Sequence, residues 1–167
     1  AEQAFFLTIP YAVDNRPLRL PALFEKLRES ARLFEQCVRP YDLQVMREAD
    51  RLCAFNILHV CDYHLPYIDL KPFTDYPGQI VNTSLKLASG EIGPREVSRL
   101  FGRPFMGGLD RLGVLATGRP EDIRGAAADA IRAGPPRFIL GADCTVPSET
   151  PWENLRTAIR SAHEFTR

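Results

Sequence analysis

Strand-like and helix-like stretches alternate about five times along these 167 residues, and no Asn-Gly type of hairpin signal stands between them. Alternation of this kind calls for parallel strands joined by helical crossovers, hence an α/β fold. The strand patterns are Gln3–Ile9 (ended by Pro10), Phe55–Val60, Gln79–Asn82, Pro104–Met106 running into Gly107-Gly108, and Arg137–Gly141. Helical spacing begins at Pro21, with Leu23, Phe24, Leu27, Ala31 and Phe34 as its apolar stripe, and resumes after Arg39-Pro40. It returns at Pro94–Phe101, from Pro120 to the stop at Gly134, and from Thr150-Pro151-Trp152-Glu153, a capping-box pattern, to the end of the chain. Leu65–Phe73 carries at most a short helix interrupted by proline.

Eight strand–helix units make a complete barrel and take roughly 250 residues. About five units in 167 residues leave two architectures: an open sheet, or the later part of a barrel. With no internal repeat and no linker-like stretch, residues 1–167 read as a single domain. A partial barrel leaves unpaired edges, here expected at Gln3–Ile9 and Arg137–Gly141, and proteins normally cover such edges. The expected cover is another chain, a second copy of this one, or an absent front half. Ala1 in place of Met fits processing or truncation, and Ala1–Pro10 has no signal-peptide pattern.

Charge narrows the partners. With 21 basic and 21 acidic residues the formal net charge is zero, which gives no support for a nucleic-acid or anionic-membrane surface. No apolar run reaches the roughly 20 residues of a membrane helix. The four cysteines, Cys37, Cys53, Cys61 and Cys144, are scattered, without a C-x-x-C pair. That argues against a disulfide framework or a zinc finger and for free thiols in a reducing cytoplasm. Cys37 and Cys53 fall in helix-like sequence and read as small buried hydrophobes.

The other two cysteines end strands. In Phe55–Cys61, His59 and Cys61 are two apart, so in an extended chain both project from one face. Cys144 follows the last strand, Arg137–Gly141, and chemistry in parallel α/β sheets gathers at that carboxyl end. One nitrogen and two sulfurs suit a catalytic zinc, which keeps three protein ligands and one open position. A thiol substrate there would become a thiolate, a strong nucleophile at neutral pH. The competing reading makes His59 a hydrogen-bonded core histidine and the cysteines ordinary small residues. Gly107 and Gly108 can bring backbone close to a ligand, with Asp110 facing the site, or serve a turn that needs positive φ. Asp62 and His64 can orient a metal ligand or bind substrate, or be solvated loop residues. Asp143 carries the same two readings, and Trp152 reads as packing.

Four segments in order, Ile57–Cys61, Phe105–Asp110, Phe138–Cys144 and Thr150–Leu155, resemble the uroporphyrinogen decarboxylase superfamily, whose fold is the TIM (β/α)8 barrel. The resemblance runs from about residue 40 onward and looks like the family's carboxyl-terminal half, implying a partial barrel. His59, Cys61 and Cys144 match the zinc motif of its methylcobamide:coenzyme M methyltransferase branch position by position. The decarboxylase branch typically ends its late strand in a Gly-His-Gly type of sequence, where this chain has Gly141-Ala142-Asp143-Cys144. Asp62 stands where the family often has glycine. The resemblance therefore implies zinc on His59, Cys61 and Cys144, and a methyl group passed to a small thiol from a corrinoid (cobalamin) carried by a partner protein. Catalytic roles would fall to Asp110 and His64, and a cofactor-binding role to Gly107 and Gly108. Decarboxylation of a porphyrinogen is the alternative enzyme, and a non-catalytic zinc- or corrinoid-binding module the alternative class.

Overall fold

The structure is a computed structural model that describes residues 31–61 and 66–166. The chain divides into two compact units, Ala1–Ala54 and Phe55–Arg167. The expected strand Gln3–Ile9 and the start of the first helix lie outside the described residues.

In the first unit a π-helical turn, Phe34–Val38, leads into helix α1, Arg39–Leu52. Pro40 sits in the first turn, where its missing N–H costs nothing. Cys37 and Cys53 are both exposed, which corrects the expectation that they are buried. The extra residue of a π turn rotates the face on which Cys37 stands, and Cys53 caps the helix where the chain turns extended.

The second unit is built on four parallel strands among the described residues: β1 (Ile57–Val60), β2 (Ile80–Thr83), β5 (Phe105–Leu109) and β6 (Ile139–Ala142), in the spatial order β1-β2-β5-β6. Each strand lies beside the one before it in the sheet, the neighbour rule of a barrel wall, so this α/β sheet is a partial barrel. Between β2 and β5 come a small antiparallel ribbon, β3 (Lys86–Leu87) with β4 (Gly90–Glu91), and helix α2 (Pro94–Phe101). The ribbon is a hairpin that the sequence pattern did not announce. Helices α3 (Val114–Thr117) and α4 (Pro120–Ala133) cross from β5 to β6, and α5 (Trp152–Glu164) follows. Among the described residues, the β1–β2 crossover holds a single 3-10 turn, Lys71–Phe73.

β1 and β6 are shorter than their apolar runs, for local reasons. Arg137 has φ +60°, a left-handed conformation incompatible with a strand, so β6 starts at Ile139. Asn56 exchanges bonds with Gln79 before regular pairing begins, through Gln79 N–H to Asn56 O at 2.9 Å and Asn56 N–H to Gln79 Oε1 at 2.6 Å. The capping box is not formed: α5 begins at Trp152 with Pro151 as its N-cap, and the buried Thr150 Oγ1 has no hydrogen-bond partner. Asn154 carries this segment instead. It is buried, and its amide donates to Leu115 O at 3.0 Å and Gly118 O at 3.3 Å, tying α5 to the end of α3.

The core is sealed by Leu109, Leu115, Ile123 and Ala158, joining β5 to α3, α4 and α5. At the opposite end of the sheet the Arg103 guanidinium donates to Tyr76 O at 2.9 Å, Gly78 O at 2.7 Å and Thr74 O at 3.1 Å, fixing the entry to β2. Gly107 and Gly108 lie inside β5, with φ of +152° and +98°. A Cβ on Gly108 would stand 2.8 Å from Ala130 Cβ of α4 and 3.1 Å from Phe138. Helix α4 therefore reaches the sheet only because this residue has no side chain.

Lys86 and Asp110 join the ribbon to the end of β5 through a 2.7 Å ion pair. The Lys86 ammonium holds the Asp110 carboxyl below its usual range, against partial burial and helped by the Leu112 and Gly113 amides. Asp110 likewise raises Lys86.

Two outcomes are expected. Gly108→Val combines backbone strain with a clash and should cost about 3 kcal/mol in urea unfolding; a loss below about 0.5 kcal/mol would contradict the packing account. A depressed carboxyl contributes stability above its unfolded pKa and loses it as pH falls through the folded value; a raised lysine contributes below its unfolded pKa and loses it as pH rises. Both partners are partly solvated, so Asp110→Asn should cost only about 0.5 kcal/mol at neutral pH. That difference should begin to shrink as pH falls below about 4, and a constant difference down to about pH 2 would contradict the pairing.

Candidate metal centre

The parallel register brings three strand ends together. His59 pairs with Asn82 across β1 and β2, Asn82 with Met106 across β2 and β5, and Leu109 with Ala142 across β5 and β6. Cys61 follows β1 directly and Cys144 lies two residues beyond β6. His59 Nε2 stands 3.3 Å from Cys144 Sγ, and Cys61 Sγ stands 3.3 Å from the same sulfur. The three donor atoms lie within 4.8 Å of one another, forming a possible metal-binding group. Neither thiol is in a disulfide, and both are nearly sealed, at 5% and 9% exposure.

A neighbouring residue holds each donor in place. The Tyr67 hydroxyl donates to the Cys61 carbonyl at 2.7 Å. Asp143 N–H donates to Leu109 O at 3.0 Å, while the Asp143 carboxylate accepts from Arg111 N–H at 2.9 Å and from its guanidinium at 3.4 Å. Those bonds pin the turn before Cys144 to the end of β5. On the other side of the site Asn82, only 4% exposed, bonds His59 Nδ1 through its Oδ1. The Asn82 amide also donates to Met106 O at 2.9 Å and Ala142 O at 3.0 Å. One side chain thus links all four strands.

The donor set fits a soft or borderline metal. Thiolate and imidazole are zinc ligands, and two sulfurs at about 2.3 Å from a tetrahedral zinc stand about 3.8 Å apart. The observed 3.3 Å asks the pair to open by roughly 0.5 Å against that spacing, within reach of small side-chain rotations.

Of the other expected site residues, Asp110, Gly107 and Gly108 fall among the described ones. His64 and Asp62 lie outside the described residues. The Asp110 carboxylate is engaged by Lys86 Nζ at 2.7 Å and by the amides of Leu112 and Gly113 at 2.9 and 3.0 Å. It orders the turn after β5. Gly107 and Gly108 are accounted for by dihedral angle and by packing on Phe105, Ala130 and Phe138. Trp152 is 76% exposed, which corrects its reading as a packing residue; it stands at the start of α5, on a side that faces solvent. Asn82 was missed. A lone asparagine in a brief apolar run carries no metal-site signal, and its carbonyl partners belong to strands far away in sequence.

No curated protein sequence matches the chain. Among solved structures it is similar to a methyltransferase from Methanosarcina mazei, with a TM-score of 0.61 at 18% identity over 78% of this chain. It spans 36% of that protein's length, and the likeness shows a shared fold. Residues 29–165 match the family profile described as Uroporphyrinogen decarboxylase (URO-D), and the chain belongs to that family.

Proposed function

We propose that this chain is the zinc-binding, carboxyl-terminal part of a cobalamin-dependent methyltransferase that methylates a small thiol. The observation that carries the reading is the His59, Cys61 and Cys144 cluster at the carboxyl ends of parallel strands. His59 would supply Nε2, and Cys61 and Cys144 their sulfurs, while burial of both thiols keeps water from competing for them. A bound zinc contributes Lewis acidity, lowering the pKa of a thiol presented to it.

The chain's own residues set the rest. Lys86–Asp110 and Arg111–Asp143 form two ion pairs near the ends of β5 and β6, each pairing a cation with a carboxylate. In the proposed reaction a thiolate sulfur bonds to a methyl carbon as the carbon–cobalt bond breaks, its electron pair staying with the corrinoid. A corrinoid carried on a partner protein would need access to these strand ends, and a front half of the barrel or another chain would complete the wall. The family's name favours decarboxylation as a second reading, but a buried pair of thiols beside an imidazole serves metal-assisted thiol chemistry better than proton transfer to a carbanion.

Purified chain should take up stoichiometric zinc, and Cys144→Ser should weaken zinc binding by about 100-fold or more. Methylcobalamin turnover with a panel of thiols should fall in parallel. Equal zinc content in the two proteins would overturn the reading, as would thiol methylation that survives the substitution.

A further inference from the structure

We propose that Asn82 is a positioning residue that fixes His59 as its Nδ1–H tautomer and so presents a bare Nε2 to the two thiols. The amide's other end fixes its orientation. Asn82 Nδ2 faces two backbone carbonyls, Met106 O at 2.9 Å and Ala142 O at 3.0 Å. Carbonyl oxygens only accept, so the amide cannot be flipped: reversal would point Oδ1 at two acceptors. Its oxygen therefore faces His59 Nδ1, and an oxygen acceptor requires that nitrogen to carry the proton. In a neutral ring Nε2 is then the lone-pair nitrogen, and it is Nε2 that lies 3.3 Å from Cys144 Sγ.

Two features make this a constraint rather than a coincidence. Free imidazole of histidine favours the opposite tautomer, with the proton on Nε2, so the local structure must impose the one seen. Asn82 is only 4% exposed, so water cannot readily take over the acceptor's place, and a buried donor that loses its acceptor is costly. The amide is also anchored to Ala142, two residues before Cys144. It thus references the ring to the same strand end that carries the sulfur. Because the acceptor is a neutral amide, it orients the ring without adding a negative charge beside two ionisable thiols.

The tautomer stands without a metal, while its effect on metal affinity rests on the zinc reading. The test begins with the metal-free, full 167-residue chain, its histidines labelled with 15N, at about pH 8 where imidazole is neutral. Long-range 1H–15N correlation reads which ring nitrogen carries the proton, and His59→Gln assigns the His59 signals by their loss. Wild type should show Nδ1–H, and Asn82→Leu should move it to Nε2. Zinc affinity should fall roughly 10–100-fold in Asn82→Leu. Nε2–H in the wild type overturns the proposal with no variant needed, even if Asn82→Leu fails to fold. Wild-type zinc affinity in a folded Asn82→Leu overturns it too. A chain with Nδ1–H that binds no zinc would sink the zinc reading alone and leave the tautomer assignment supported.

Discussion

The site depends on the register of four parallel strands. Each pairing from β1 through β6 is in step, so residues that leave the strands at their carboxyl ends arrive at one place. A slip of one residue in β1 would turn His59 and Cys61 to the other face. Asn82 is the side chain that makes such a slip costly. Its amide holds β5 and β6 by their carbonyls and β1 by the His59 ring, and each bond would have to break inside a buried environment.

Around this centre the rim residues act as supports. Asp143 is tied to the Arg111 amide and guanidinium, which fixes the backbone on which Cys144 stands. Asp110 orders the turn that precedes α3 and accepts the Lys86 ammonium from the ribbon. Both carboxylates, placed at strand ends where catalysis is expected in such folds, are spoken for by structural bonds. Among the described residues, the imidazole and the two thiols are the metal-ligand donors that converge there.

Much of this was legible in the sequence, and the gaps have physical causes. Alternation by two placed His59 and Cys61 on one face, and a strand pattern ending near Cys144 set it at the same end; both follow from local geometry that any extended chain obeys. Gly107-Gly108 read either as a close approach of backbone to a ligand or as a turn that needs positive φ. In the fold the strand continues through them, since glycine can hold that backbone while α4 and Phe138 fill the missing side-chain space. The ribbon Lys86–Leu87 with Gly90–Glu91 was hidden because Ala88-Ser89 is not a favoured turn pair. Asn82 was the deepest omission. Its role comes from Met106 and Ala142, 24 and 60 positions away, and no local pattern encodes partners at that distance.

Zinc-edge X-ray absorption on the zinc-loaded chain would read whether His59, Cys61 and Cys144 hold a metal as one nitrogen and two sulfurs. The expected shell has two sulfur scatterers at about 2.3 Å and a nitrogen at about 2.0–2.1 Å, with multiple-scattering features of an imidazole. A first shell of oxygen and nitrogen alone, without sulfur, would contradict it.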